Sequence, residues 1–261
     1  MTRNQDLSNI FWWQPRPFLG IKCLQKQNVG DYLGPKLVSA ILSAENLKIY
    51  NQTNKRLLTI GSILHFAKDK DVIWGTGLNG KVNPEQHSFS ELDVRALRGP
   101  LTQKFLIEKG ISIPKKIAFG DPGILTSKYF PVDAPKRTKA IYIPHMREKN
   151  PTKKLKGSGV EMLSPLLNLT DFLYKLNTAE RVITTSLHGV IIAESYGIPA
   201  VMLKNNSGEN ILKFIDYFNG TDRDLPEISK SITGAMNQKP NTPNLQAQQK
   251  GLLSTFPYDL W

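Results

Sequence analysis

Ser186, His188 and Gly189 stand in the segment T-S-L-H-G, between a β-branched run at 182–185 and an apolar run at 190–196. The first run reads as a strand and the second as a helix, so the segment is a strand-to-helix turn. A turn of this kind holds free backbone N–H groups at the positive end of a helix, which attracts phosphate or carboxylate. The dipole disfavours a charged imidazole at that place, whereas a bound trianion favours it, so binding itself can turn His188 into an acid. A histidine that only holds phosphate, or only holds the turn together, is the alternative. Gly197 suits a left-handed helix stop, Pro199 prevents continuation, and 200–203 resumes as a buried strand, which completes one parallel β-α-β unit.

Five other predicted strands end in residues of similar promise: Gly61-Ser62, Gly75-Thr76-Gly77, Arg98-Gly99-Pro100, Gly120-Asp121-Pro122-Gly123 and Pro144-His145. In open α/β sheets ligands bind outside the carboxyl ends of the strands, where glycines let backbone amides approach. Ordinary turns also carry Gly and Pro, but a series of such ends bearing His, Arg, Asp and Ser points to a site. Arg98 and Arg95 can grip a carboxylate or phosphate with paired N–H groups, with a surface ion pair as the alternative for Arg95. Asp121 and Asp31 are the carboxylates; each is a candidate base or a helix cap, and Asp31 is the better placed to cap because a helix follows at once. His145, with Arg147 close behind, and Lys204, after the closing strand, add candidate ligands for an anion. Glu194 lies inside the helix and suits a salt bridge. His65 and His87 have no partners in pattern, no histidine-carboxylate spacing indicates a metal, and none is expected.

The elements that would position these groups alternate. Strands are expected at 10–13, 18–23, 47–50, 57–60, 71–74, 94–97 and 116–119, with helices at 33–42 and 101–109. A Pro-rich, charged connector at 130–139 precedes a second block with strands at 140–143 and 160–163, helices at 170–176, 210–218 and 225–236, and the β-α-β unit. The reading is α/β with two Rossmann-like domains built on parallel sheets, 1–132 and 133–238, followed by a tail at 239–261 that packs back on the first. The 34 Lys and Arg against 22 Asp and Glu give a formal net charge of +12 and favour anionic partners. Aromatic residues fall in apparent core segments rather than along a basic stripe, so nucleic acid is not the expected partner. The single cysteine, Cys23, excludes an internal disulfide. The N-terminus lacks a signal-peptide core and no run is long enough to span a bilayer, so a cytoplasmic location is expected. The basic stretch at 147–156 is either a solvated loop or a contact for anionic membrane at the inner face.

The motifs N-V-G-D at 28–31, G-S-I-L at 61–64, W-G-T-G at 74–77, D-V-R-A-L-R-G-P-L-T at 93–102, G-D-P-G at 120–123, Y-I-P-H at 142–145 and T-S-L-H-G-V-I-I-A-E-S-Y-G-I-P at 185–199 occur in this order. Together with K-F-I-D-Y-F at 213–218 they make the chain resemble the polysaccharide pyruvyl transferase family, nearest its succinoglycan-type exopolysaccharide branch. The resemblance implies a GT-B-like fold with the active site in a cleft between the domains, the first on the acceptor side and the second on the donor side. It implies transfer of the enolpyruvyl group of phosphoenolpyruvate onto two hydroxyls of a sugar, or of a lipid-linked oligosaccharide in a surface or capsular polysaccharide repeat, giving a cyclic ketal and phosphate. Phosphoenolpyruvate is then a co-substrate and no cofactor is needed. The carry-over makes His188, Asp121 and Asp31 catalytic, and Arg98, Arg95, Ser186, Gly189, Gly75, Gly77, His145 and Lys204 substrate-binding. Where several branches of the family carry arginine two residues before the His-Gly pair, this chain has Ser186, so the phosphate cation must come from elsewhere. A GT-B glycosyltransferase consuming a nucleotide sugar is the competing reading, separated by which leaving group is released.

Overall fold

Short aliphatic runs bounded by Gly and Pro become brief parallel strands, and the longer runs with a 3.6-residue repeat become helices. The computed structural model describes residues 7–14, 27–47, 55–204 and 208–261. In chain order the elements are β1 (Ile10–Phe11), α1 (Val29–Ala44), β2 (Leu57–Leu58), β3 (Val72–Trp74), β4 (Asp93–Leu97), α2 (Pro100–Glu108), β5 (Ala118–Phe119) and α3 (Thr126–Tyr129). There follow β6 (Ile141–Ile143), β7 (Glu161–Met162), α4 (Leu169–Asn177), β8 (Val182–Thr184), α5 (Leu187–Ser195), β9 (Ala200–Met202), α6 (Leu212–Gly220), α7 (Ile232–Asn237) and α8 (Gln246–Ser254). The strand expected at 18–23, with Cys23, lies outside the described residues, as does most of the one at 47–50.

Among the described residues there are two sheets, all of whose pairings are parallel. One runs β1-β2-β3-β4-β5 and the other β7-β6-β8-β9. In the second sheet the chain moves from β6 to β7 on one side and returns to β8 on the other. The carboxyl ends of β6 and β8 therefore flank a point where strand order reverses, the place where α/β sheets bind ligands.

One apolar core joins the two sheets. It takes Leu57, Val72 and Trp74 from the first, Ile141, Ile143 and Val182 from the second, and the buried face of α1 (Leu33, Leu37, Ile41). The opposite face of the first sheet has its own core, which includes Leu58, Ile73, Val94 and Leu97. Val94 and Leu97 share a face although they are three apart, because the register of β3 and β4 shifts between Ile73 and Trp74. That irregularity breaks simple alternation.

The tail is part of the core. Trp74, fully buried, donates from its indole N–H to the Leu252 carbonyl in α8 at 3.0 Å, and Phe256 meets its ring edge-on at 5.0 Å. The connector is docked as well, with Lys136 Nζ donating to the carbonyls of Asn177 and Ala179. The single helix expected at 225–236 is not formed: only Ile232–Asn237 is helical, capped by the Ser231 side chain. Ser229 instead makes a bridge with the chain after β9, accepting from Lys204 N and donating to Met202 O, which holds the preceding residues extended. No helix among the described residues is long and apolar enough to cross a membrane.

Candidate active site

At the carboxyl ends of both sheets lies a pocket of about 190 Å³. The second sheet contributes His145, Met146 and Arg147 after β6 and Ser186, Leu187 and His188 after β8; the first contributes Ser62 and Ile63 after β2, Asn79 and Lys81 after β3, and Trp13 after β1. Asn28 and Asp31 enter from the start of α1, and Glu209 and Lys213 from the approach to α6.

Ser186 occupies the N-cap position of α5, yet its side chain makes no capping bond. Its backbone N–H bonds to Thr184 Oγ1, which also donates to the Ile143 carbonyl, so the turn is tied across to β6. Neither ring nitrogen of His188 has a hydrogen-bond partner among the described residues, and Nε2 is fully enclosed. Burial, reinforced by the positive charges of Lys213 and Arg98 and by His145, brings the imidazole down to about 3, so it is neutral at physiological pH. The ring lies directly against Gly30 of α1: a β-carbon there would sit 1.9 Å from His188 Nδ1. Leaving the enclosed Nε2 unpaired is costly, and such exceptions point to a partner that arrives from outside.

Around it the charges are arranged in two groups. Glu209 gathers three cationic or ionisable groups, pairing with Lys213, with Lys81 at 2.5 Å and with His145 Nε2 at 3.6 Å. Burial alone would raise Glu209, but Lys213 and Lys81 more than reverse that and hold it near 2. His145 is brought down to about 4 by burial, with Lys213, Arg147 and Lys81 acting the same way against Glu209. In the other group, burial raises Asp31 to about 6, over the opposing hydrogen bond from Asn28 and the charges of Lys213 and Arg147. Arg147 is exposed, and among the described residues its guanidinium has no ion-pair partner. The pocket is thus less one-sidedly cationic than the net charge suggests, with three cations among its walls against two carboxylates.

The structure brings His188, Ser186, His145, Arg147 and Asp31 to this pocket and places the other candidates elsewhere. Arg98 is fully buried, with Nε on Asp216 at 3.0 Å, Nη1 on Ser62 Oγ at 2.6 Å and Nη2 on the Leu78 carbonyl at 2.6 Å. Every face of its guanidinium is engaged by protein, and its reach to the pocket is through Ser62. Arg95 pairs with Asp93 and with Asp259 of the tail, which is the surface ion pair. Lys204 is exposed and is not part of the wall. Gly75, Gly77 and Gly189 serve packing, since a β-carbon would come within 2.2 Å of Pro122, 2.5 Å of Arg98 and 2.3 Å of Thr184 respectively.

The two aspartates exchange the capping role expected of them. Asn28 caps α1, its side chain accepting from Gly30 N, so Asp31 lies in the first turn without a capping role. Asp121, which looked the poorer cap, is the N-cap of a short 3-10 turn at Pro122–Leu125 and accepts from Gly123 N at 2.9 Å. Its other oxygen is buried without a partner, and burial raises the group to about 6. Glu194 is buried between Tyr217 and Arg223, with both guanidinium nitrogens at 2.8 Å. The polar pocket residues missed from sequence are Asn28, Asn79, Lys81, Glu209 and Lys213, and His65, which has no partner in pattern, also lines the wall with its Nδ1 3.2 Å from Asn79 Nδ2; the i, i+4 spacing of Glu209 and Lys213 was the available signal.

The profile of the polysaccharide pyruvyl transferase family matches residues 14–207. The chain belongs to that family. An uncharacterized protein, L143, of Acanthamoeba polyphaga mimivirus is 30% identical over 217 residues, covering 76% of this chain and 72% of that protein. The succinoglycan biosynthesis protein ExoV of Rhizobium meliloti (strain 1021) is 21% identical over 201 residues, covering 74% of this chain, which spans 61% of ExoV. No solved structure gives a significant match. The span shared with the family takes in Asp31, Arg98, His145, Ser186 and His188, and ends just before Glu209 and Lys213.

Proposed function

We propose that the chain is a transferase that moves the enolpyruvyl group of phosphoenolpyruvate onto two hydroxyls of a sugar in a surface polysaccharide repeat, forming a cyclic ketal and releasing phosphate. Membership of the pyruvyl transferase family and the likeness to a succinoglycan biosynthesis protein support pyruvyl transfer in polysaccharide synthesis. The observation that carries the donor assignment is His188: half-buried with Nε2 enclosed, unpartnered and neutral, at the N-terminus of α5 and in the wall of a pocket that also holds Arg147 and Lys213.

In this reading the amides at the start of α5, with Arg147 and Lys213, hold the phosphate and carboxylate. The approach of that trianion raises the affinity of His188 for a proton, and the imidazolium gives it to the methylene carbon. C2 becomes electrophilic, and one sugar hydroxyl attacks it, losing its proton to the pocket. The bond from C2 to the bridging oxygen breaks, phosphate leaves with one proton, and the second hydroxyl closes the ketal. Of the two hydroxyl protons, one is balanced by the new methyl group and the other by phosphate. Asp31, raised to about 6, is the carboxyl placed to accept the hydroxyl proton. The two sheets would correspond to the halves of a GT-B arrangement, with the pocket as its cleft and no cofactor. The acceptor would be a sugar or lipid-linked oligosaccharide, met at the inner face of the membrane.

Incubation with phosphoenolpyruvate and a panel of glycosides, followed by phosphate assay and mass measurement of the product, tests the reading. Phosphate release with a mass gain of one ketal supports it. Turnover only with a nucleotide sugar, with release of a nucleoside diphosphate, would replace it by glycosyl transfer.

A further inference from the structure

Beside the pocket, and sharing two of its walls, lies a largely aromatic groove of about 530 Å³ lined by Ile10, Phe11, Trp12, Trp13, Gln14 and Phe66. Trp13 and Phe66 face both spaces. Phe66 is 37% exposed, and Phe11, Trp12 and Trp13 are half-buried. The phenyl rings are already engaged: Phe11 and Phe66 lie 5.4 Å apart, His65 covers Phe66 at 4.0 Å, and the Arg56 guanidinium lies over Phe11 at 5.1 Å. The indoles are not. Among the described residues neither Trp12 nor Trp13 has a ring partner, a cation over its face or an acceptor for its N–H. Both indoles are half-buried, and Trp13 also packs against the core on the outer face of the first sheet.

We propose that this groove is the acceptor subsite, in which the indoles of Trp12 and Trp13 stack against the pyranose rings next to the sugar that is modified. Three features select a saccharide. The apolar C–H face of a pyranose matches an aromatic ring, while its hydroxyls reach the indole N–H groups and Gln14 at the rim. The volume falls within the range of about 300–1,000 Å³ usual for small-ligand sites. Trp13 and Phe66 line both spaces, so a sugar chain seated on the indoles lies beside the pocket that holds His188. That the seated sugar is an acceptor for pyruvyl transfer rests on the proposed function; that the groove holds a saccharide does not.

The test is binding of the full-length protein to an array of bacterial oligosaccharides, with and without phosphoenolpyruvate. In parallel, calorimetry measures phosphoenolpyruvate alone. Wild type should bind at least one class of saccharide, and the Trp12→Ala variant, changed at an indole that lines the groove but not the pocket, should lose that binding tenfold or more. Trp12→Phe should restore most of it, and the phosphoenolpyruvate affinity of all three should agree. The absence of saccharide binding by wild type would overturn the subsite, as would equal binding by the alanine variant. Loss of binding to anionic phospholipid vesicles in the alanine variant, without any glycan binding, would overturn it in favour of a membrane contact. Failure of phosphoenolpyruvate to bind, with tryptophan-dependent glycan binding intact, would count against the proposed reaction and leave the subsite standing.

Discussion

His188 and Gly30 are in direct contact across the junction of α5 and α1, so closely that a β-carbon on Gly30 would lie 1.9 Å from Nδ1 and 2.3 Å from Cγ. The glycine is what permits the imidazole to lie against the first turn of the helix that carries Asp31. Gly30→Ala must therefore push the ring away or shift α1. Because a displacement of about 1 Å in a catalytic group can cost on the order of 10²-fold in rate, the variant should lose about that much kcat. Gly34→Ala, where a β-carbon would meet only the Thr59 methyl at 3.1 Å, should lose far less. Phosphate release measured for both decides it.

Arg98 and Asp216, both fully shielded from solvent, form an ion pair at 2.9 Å beside the site. Asp216 also accepts from the backbone N–H and the hydroxyl of Thr102. Removal of one partner leaves a buried charge unpaired, so Asp216→Ala should lose about 3–5 kcal/mol by urea unfolding. Arg98→Met with Asp216→Leu should be closer to wild type than Asp216→Ala in the same measurement.

These pairings mark how much the sequence disclosed. The α/β alternation, the strand-to-helix turn at Ser186-His188 and the place of His145 at a strand end follow from local residue patterns. Asp216 lies 118 residues from Arg98, and nothing local announces that it will occupy the guanidinium. Capping was misassigned between Asp31 and Asp121 because both precede a helical turn. The choice was made by Asn28, which sits one residue before the first helical position and takes the Gly30 N–H. Residues 225–231 carry a helical pattern, but the bonds of Ser229 to Met202 and Lys204 outweigh local propensity.

Asp121 should make stability fall as pH rises. Its folded value, about 6, lies above the usual 3.8, so the native state holds the proton more tightly than the unfolded chain. The contribution is complete below about 3.8 and is lost as pH rises through 6. Asp121→Asn keeps an oxygen for Gly123 N and removes the charge. Thermal melts should show the variant more stable than wild type above pH 6, by on the order of 2 kcal/mol. The gap should close below about pH 4.

Glu209 holds Lys81 and Lys213 and so competes with any anion for them. Glu209→Gln frees both cations and should tighten phosphoenolpyruvate binding about tenfold, or roughly 1.4 kcal/mol, at low salt. The gain should shrink as ionic strength rises. Calorimetry across a salt series checks both. Weaker binding would mean that Glu209 is needed to orient the lysines.

The central claim is that a bound trianion turns a neutral, half-buried His188 into an acid. Its most direct measurement is the ¹⁵N signal of the His188 ring across pH, with and without phosphoenolpyruvate, assigned by comparison with His188→Gln. The account predicts an imidazole that stays neutral down to about 3 in the free protein and titrates about two units or more higher in the complex. An identical titration in the two states, with the ligand bound, would contradict it.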